Sequence, residues 1–257
     1  QQARAEFMLS GDAGEMIEDG LVVVAHQISY RNPIHYSDDP LRAELWVAEV
    51  GAARLVIAYR LIQDDSLCVE ARTVLCPYDF ERMVPRRLTR RERGFFTAWL
   101  DENTAPLPEL VAPELAGRGK ITPVQVRWSD PDRYQHVNNV RYLDYVLAGR
   151  VDMTSHADPS MARVAMGNAD AARWLIARQD IDYLVQMMFR LAPFHVLTAP
   201  VHLGTSSIVL ATEIVDPDDG IVHAKARTVL VCADEAGHKR PLPDAARAAL
   251  EKLLTTQ

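Results

Sequence analysis

Long apolar runs are missing from this 257-residue sequence, and none approaches the roughly 18 consecutive apolar positions of a membrane-crossing helix. No membrane span is therefore expected. An excess of positive charge is missing too: 28 Lys and Arg stand against 35 Asp and Glu, a formal net charge of −7. That argues against a nucleic-acid partner, which needs a basic face, although a local Arg cluster can still hold a small anion. Cysteine is scarce, with only Cys68, Cys76 and Cys232 and no C-x-x-C pair. An odd, scattered set gives neither a disulfide framework nor a structural zinc site, and fits reduced thiols in a cytoplasmic compartment. The histidines show no metal-ligand spacing, so no metal is expected. What remains is an ordinary globular composition, 48% apolar and 25% charged.

The chain is written twice. HQISYRNPIHYSDDP around Ile28 and RQDIDYLVQMMFRLAP around Ile181 align through Tyr30 and Tyr183, an offset of 153 that Pro40/Pro193 and Gly51/Gly204 keep. The string ARTVL recurs with Arg72 matched to Arg227, at an offset of 155. So long a period means two domain-sized repeats rather than a solenoid of small units.

Within each repeat the pattern is that of an antiparallel sheet. Leu41, Ala43, Leu45 and Val47 alternate with polar or larger residues, as in a half-buried strand. Leu55–Leu61 and Leu67–Leu75 give two more strands, and Phe194–Val201, Ile208–Ile214 and Val222–Leu230 are their later counterparts. Short turns between such strands imply antiparallel pairing. Polar helices follow at about Thr89–Leu100 and Pro243–Leu254. Residues 101–123 hold Pro106, Pro108, Pro113 and Pro123 and read as the linker. The expected organisation is repeat 1 over 1–100, linker 101–123 and repeat 2 over 124–257.

The densest chemistry lies at VRWSDPDRYQHVNNVRYLDY, Val126–Tyr145. A strand-like start leads through a polar loop into a helix, which Val140, Leu143, Leu147 and Val151 place from about Asn139. Tyr142, Tyr145 and Val146 make its other faces apolar, so a buried helix is expected. Gly149 within it costs about 1 kcal/mol relative to Ala, tolerable where another backbone approaches closely. The loop sets Asp130, Asp132, His136, Asn138 and Asn139 beside a helix N-terminus, whose amides can hold negative charge. From the residues alone, Asp132 is either an ionised carboxylate for catalysis or an Asx-turn former. Asp130 reads as a loop brace, His136 as a brace or a substrate contact, and one of the two asparagines as the helix cap.

Strand, loop, buried helix and antiparallel strands, with the core Asp132-Arg-Tyr-Gln135-His136-Val-Asn138-Asn139, resemble the hotdog-fold acyl-CoA thioesterases of the 4-hydroxybenzoyl-CoA thioesterase type. The resemblance runs from Val124 to about Leu254 and, through the duplication, over about Glu18–Leu100. It implies an α+β tandem (double) hotdog, two repeats packed as a pseudo-dimer, that hydrolyses an acyl-CoA to free acid and coenzyme A. It also implies catalytic roles for Asp132, His136 and the backbone N–H of Asn139, and substrate contacts at Asn138 and Gln135. Family members usually carry Gly where Gln135 stands, and Gly permits a positive φ or a close ligand. Arg86 and Arg87 are candidates for the coenzyme A phosphates. No cofactor is needed, and further homo-oligomerisation is expected. Rival readings are hydrolysis of an acyl carrier protein thioester and acyl-CoA sensing without turnover. The first repeat opens on Gln2-Ala-Arg4, which resembles mid-helix Ala148-Gly-Arg150, so the natural protein is expected to carry roughly 25–30 further residues holding a twin of the loop.

Overall fold

The computed structural model describes residues 2–9, 20–132, 134–161 and 172–255. Glu18, at the expected start of the first repeat, and Arg133, inside the polar loop, lie outside them. The chain divides into two compact units, Gln1–Pro108 and Glu109–Gln257. Among the described residues no helix is long and apolar enough to cross a membrane.

The first unit holds α1 (Gln2–Leu9), β1 (Leu21–Tyr30), β2 (Arg42–Val50), β3 (Leu55–Gln63), β4 (Ser66–Asp79), the short β5 (Val84–Pro85) and α2 (Arg90–Thr97). Its strands run in the order β2-β3-β4-β1, all antiparallel, with β5 on β4. Met8, Val47, Leu55, Ile57, Leu75 and Phe96 fill its core. The second unit holds β6 (Lys120–Val124), α3 (Asn139–Ala157), a 3-10 turn at Pro159–Met161, β7 (Arg173–Tyr183), β8 (Phe194–Leu203), β9 (Ser207–Val215), β10 (Val222–Ala233) and α4 (Asp244–Glu251). Its antiparallel order is β7-β10-β9-β8-β6. This is the two-repeat hotdog fold: an antiparallel sheet with a helix laid on it, in two copies.

The duplication holds down to single hydrogen bonds. Tyr30 ends β1 opposite Val69, and Tyr183 ends β7 opposite Ala224. Gly51 and Gly204 open the same turn, their amides bonding Arg54 O at 2.7 Å and Ser207 O at 2.8 Å. An arginine of the following helix then reaches back to each turn carbonyl, Arg93 to Gly51 at 2.7 Å and Arg247 to Gly204 at 2.6 Å. Arg72 and Arg227 each find a partner inside their own unit: Ala105 O and the Asp182 carboxylate.

Two expectations are corrected, and the expected linker is found packed in its later part. The boundary between the units falls inside it, after Pro108. Leu115 is fully buried with Leu197, Ala199 and Ala211, and its amide donates to the buried Glu213 carboxylate at 3.0 Å. A proline-rich segment with few apolar residues can still lie against a sheet face when one Leu fills the groove. The strand expected at the head of the loop sits earlier, as β6, inside that same segment. Finally, α3 is not buried all round. Val140, Leu147 and Val151, which mark its period, are 42%, 43% and 41% exposed, whereas Tyr142, Tyr145, Val146, Gly149 and Met153 face the core. Both stripes obey the helical period, and apolarity alone favoured the wrong one because the inward stripe is built from tyrosines and a glycine.

Gly149 explains its own presence. A Cβ there would stand 2.5 Å from Val196 Cγ1 and 2.8 Å from Thr198 Oγ1 on β8, so side chains rather than a backbone require the gap. Gly149→Ala should therefore lower stability by about 1–3 kcal/mol through overpacking, although helix propensity alone favours Ala by about 1 kcal/mol. Urea denaturation of the two proteins measures the sign.

A second prediction concerns His26, whose Nδ1 sits 2.9 Å from Thr73 Oγ1. Removal from water, reinforced by the Arg4 charge and opposed by a backbone bond at Arg72, lowers its pKa to about 3. An unfolded His takes its proton near 6.5, so between those values the unfolded chain binds more protons and stability falls as pH drops. The matching residue of the second repeat is Gln179. His26→Gln should remove up to about 2 kcal/mol of the stability lost between pH 7.5 and 5, read as the difference in urea midpoints at the two pH values.

Candidate functional site

Between β6 and α3 the chain folds into a small hairpin seated on Asp130. This carboxylate is 4% exposed. Its Oδ2 accepts the Tyr145 hydroxyl at 2.6 Å and the Arg127 amide at 2.8 Å, while Arg141 Nε lies 3.5 Å from Oδ1. The Asp130 carbonyl takes the Asn138 amide at 2.9 Å, closing the loop on itself. Burial, then the hydrogen bond and charge of Asp130, push the Tyr145 phenol well above its usual range. The phenol is therefore a permanent donor at neutral pH.

Above this brace, Pro131 and Val137 pair as an isolated bridge and Asp132 makes the turn. Its amide donates to His136 O at 2.8 Å and its carbonyl accepts from Gln135 at 3.0 Å. Asp132 Oδ1 accepts the Tyr134 amide at 2.8 Å, an Asx-turn. Its side chain is half-buried, and among the described residues nothing donates to Oδ2. The bond that makes Asp132 a turn former also fixes the direction of its other oxygen, so the turn role and an available carboxylate oxygen coexist. His136 follows, bridged to Met188. Burial lowers its pKa against the opposing pull of Asp132, which keeps the ring neutral at pH 7.

Asn138 is the helix cap, its side chain accepting the Val140 amide at 3.1 Å, and Asn139 is the first helical residue. Capping follows from the short amide side chain reaching a first-turn N–H that has no intrahelical partner. The structure thus gathers Asp132, Gln135, His136, Asn138 and Asn139 within one turn and the helix start it feeds. Arg86 and Arg87 belong to the first unit. Arg86 forks onto Glu92 at 2.8 and 2.9 Å inside a capping box with Thr89, while Arg87 is exposed. A guanidinium engaged in this way braces the start of the helix.

Several residues of the site escaped the sequence reading. Tyr142 accepts the Met187 amide at 2.9 Å, and Met187 O accepts Val137 N at 2.9 Å, so one residue clamps both loop and helix. Burial, opposed by the Met187 bond and reinforced by the Asp132 charge, pushes the Tyr142 phenol up to about 12. Tyr183 donates to Asn139 O at 2.9 Å and stands edge-on to Tyr142 with centroids 5.1 Å apart. Tyr142 and Tyr145 counted only as apolar positions, and Tyr183 only as a marker of the duplication. The three-, four-residue spacing from Asn138 was the available signal for the first two. Among the described residues no group of three or more His, Cys, Asp and Glu side chains is gathered as a metal site requires.

Gln135 has φ of 64°, the left-handed region where the family usually places Gly. The loop conformation is kept by a residue that does not favour it, at a cost of about 1–2 kcal/mol. Gln135→Gly should leave stability unchanged or raise it by up to about 1 kcal/mol, the relief being partly offset by the freer unfolded chain. Gln135→Val should lower it by about 1–2 kcal/mol because a β-branched side chain suits this region least. Thermal melts of the three proteins test the order.

Comparison with known proteins agrees with this architecture. A putative oleoyl thioesterase from Lactobacillus plantarum superposes with a TM-score of 0.70 at 13% identity, covering 95% of this chain and 86% of that one. The 12:0-ACP thioesterase from Umbellularia californica gives 0.68 at 16% identity, over 86% and 77%. An acyl-ACP thioesterase from Bacteroides thetaiotaomicron gives 0.65 at 14% identity, over 89% and 85%. At such identities the likeness establishes the shared fold. No curated protein matches the chain. The family model described as the thioesterase-like superfamily matches residues 1–115 and 126–250, nearly the whole sequence and both repeats, and the chain belongs to that superfamily.

Proposed function

We propose that the protein hydrolyses an acyl thioester, with the acyl group carried on coenzyme A. The observation that carries this reading is the half-buried Asp132, held by its own turn with Oδ2 open, on the hairpin that feeds the N-terminus of α3. An ionised carboxylate there can take a proton from water, whose oxygen then bonds to the thioester carbonyl carbon. It can equally attack that carbon itself and form an acyl-enzyme that water later opens. In both routes the carbonyl oxygen becomes negative, and the amide at Asn139 lies where the helix dipole supplies roughly half a positive charge. Collapse of the tetrahedral species breaks the carbon–sulfur bond; the leaving thiolate takes the proton held by Asp132 in the first route, and one released by the hydrolytic water in the second. Water, a carboxylate and backbone amides balance this reaction, so no cofactor enters it.

Neutral His136 and the side chains of Asn138 and Gln135 are assigned to substrate contact around the turn. A second reading, an acyl carrier protein thioester as substrate, is favoured by the names of two of the structures above, which match both repeats rather than one. The acidic net charge of −7 weighs for coenzyme A, because the carrier is conventionally met by a basic surface.

Thiol release from matched acyl-CoA and acyl carrier protein substrates separates these readings. Wild type should release coenzyme A, and Asp132→Asn should lower kcat by about 10²–10⁴-fold while keeping its melting temperature within a few degrees. Equal release by the two proteins would overturn the role of Asp132. Binding of acyl-CoA by wild type with no thiol released would instead establish a sensor.

A further inference from the structure

A cavity of about 620 Å³ opens in the second unit at the end of α3 remote from the loop. Met153 and His156 of α3 line it, with Lys120 and Ile121 of β6 and Lys252 and Leu253 beyond α4. Fourteen residues separate Asn139 from Met153, which at 1.5 Å per residue sets the cavity about 20 Å along the helix from the candidate site. Its size falls in the range of small-molecule sites, roughly 300–1,000 Å³.

The lining has a definite chemistry. It contains two lysines and a histidine and no Asp or Glu, in a chain whose net charge is −7. Lys252 is exposed and makes no ion pair among the described residues. Lys120 Nζ stands 3.7 Å from Asp152 Oδ2, an oxygen that already accepts the Thr122 hydroxyl at 2.7 Å. That separation is beyond a hydrogen bond, and a loose pair at a half-exposed site holds its lysine weakly. Beneath the charges the lining turns apolar at Leu253 and Leu254, both half-buried.

Cations near the end of α3 also complement its dipole, and that is the plainer account of them. It does not explain why Lys252 comes from another element, nor why the charges rim an apolar recess. We propose that this cavity is a second, non-catalytic site for an amphipathic carboxylate, its head between Lys120 and Lys252 and its alkyl chain on Leu253 and Leu254. Such a molecule is also what thioester hydrolysis would release. That link to product rests on the proposed function, whereas the site itself does not.

The test is calorimetric titration of dodecanoate into the full-length Asp132→Asn protein, which separates binding from turnover, with dodecan-1-ol as the uncharged control. Dodecanoate should bind at a saturable site and dodecanol at least tenfold more weakly. Lys120→Glu/Lys252→Glu should weaken dodecanoate at least tenfold and leave wild-type thiol release unchanged when made alone. The milder Lys252→Ala and the apolar-lining change Leu254→Ser should each weaken it in the same direction, which guards against a folding defect in the double variant. Equal affinity for acid and alcohol, affinity unmoved by the lysine changes, or no saturable binding would overturn the proposal. Failure of the hydrolysis reading shows separately, as absence of thiol release by wild type.

Discussion

The buried carboxylate of Asp130 is the constraint from which the rest of the candidate site follows. A charge removed from water has to be met by donors or it unfolds its surroundings. Here the donors come from three places: the Tyr145 hydroxyl on the second turn of α3, the Arg127 amide before the loop, and the Arg141 guanidinium at its edge. Because these groups converge on one side chain, the loop cannot drift relative to the helix without stranding the charge. The Asn138 amide on the Asp130 carbonyl then sets where the helix begins. Asp132 and His136 inherit their positions from that arrangement.

A second clamp works from the other side. Met187 offers its N–H to Tyr142 and its carbonyl to Val137, while Tyr183 holds the Asn139 carbonyl. Burial keeps the Tyr142 and Tyr145 phenols protonated, with strongly raised pKa values. Tyr142 and Tyr145 thus hold the helix start as neutral hydroxyls, one accepting and one donating, that do not titrate in the physiological range.

The two repeats show what duplication conserves and what it releases. The turn at Gly51 and Gly204, with its returning arginine, is the same structure twice, because a tight turn that leaves a carbonyl facing the next helix has one economical solution. Side chains packed between elements have diverged. His26 and Thr73 stand where the second repeat has Gln179 and Thr228, and the capping Thr89 stands where the second has Pro243. Backbone geometry has been held while the polar groups resting on it were exchanged.

Much of this was legible in one dimension. Alternation over Leu55–Leu61 and its fellows located six strands, and the period from Asn139 located α3, because both patterns are local consequences of strand and helix geometry. The Asp-x-x-x-His-x-Asn-Asn run marked the loop and its cap for the same reason. Long-range choices were not legible. Two apolar stripes on α3 had equal claim to the core, and only packing against Val196 and Thr198 turned Tyr142, Tyr145 and Gly149 inward. Nothing near Leu115 in the chain announces Glu213, nor near Asn139 announces Tyr183. Local periodicity and turn chemistry thus determined which elements exist and where the polar loop lies. The tertiary structure decided which faces are buried and which polar groups meet, since burial and hydrogen-bond pairing depend on neighbours brought in from far along the chain.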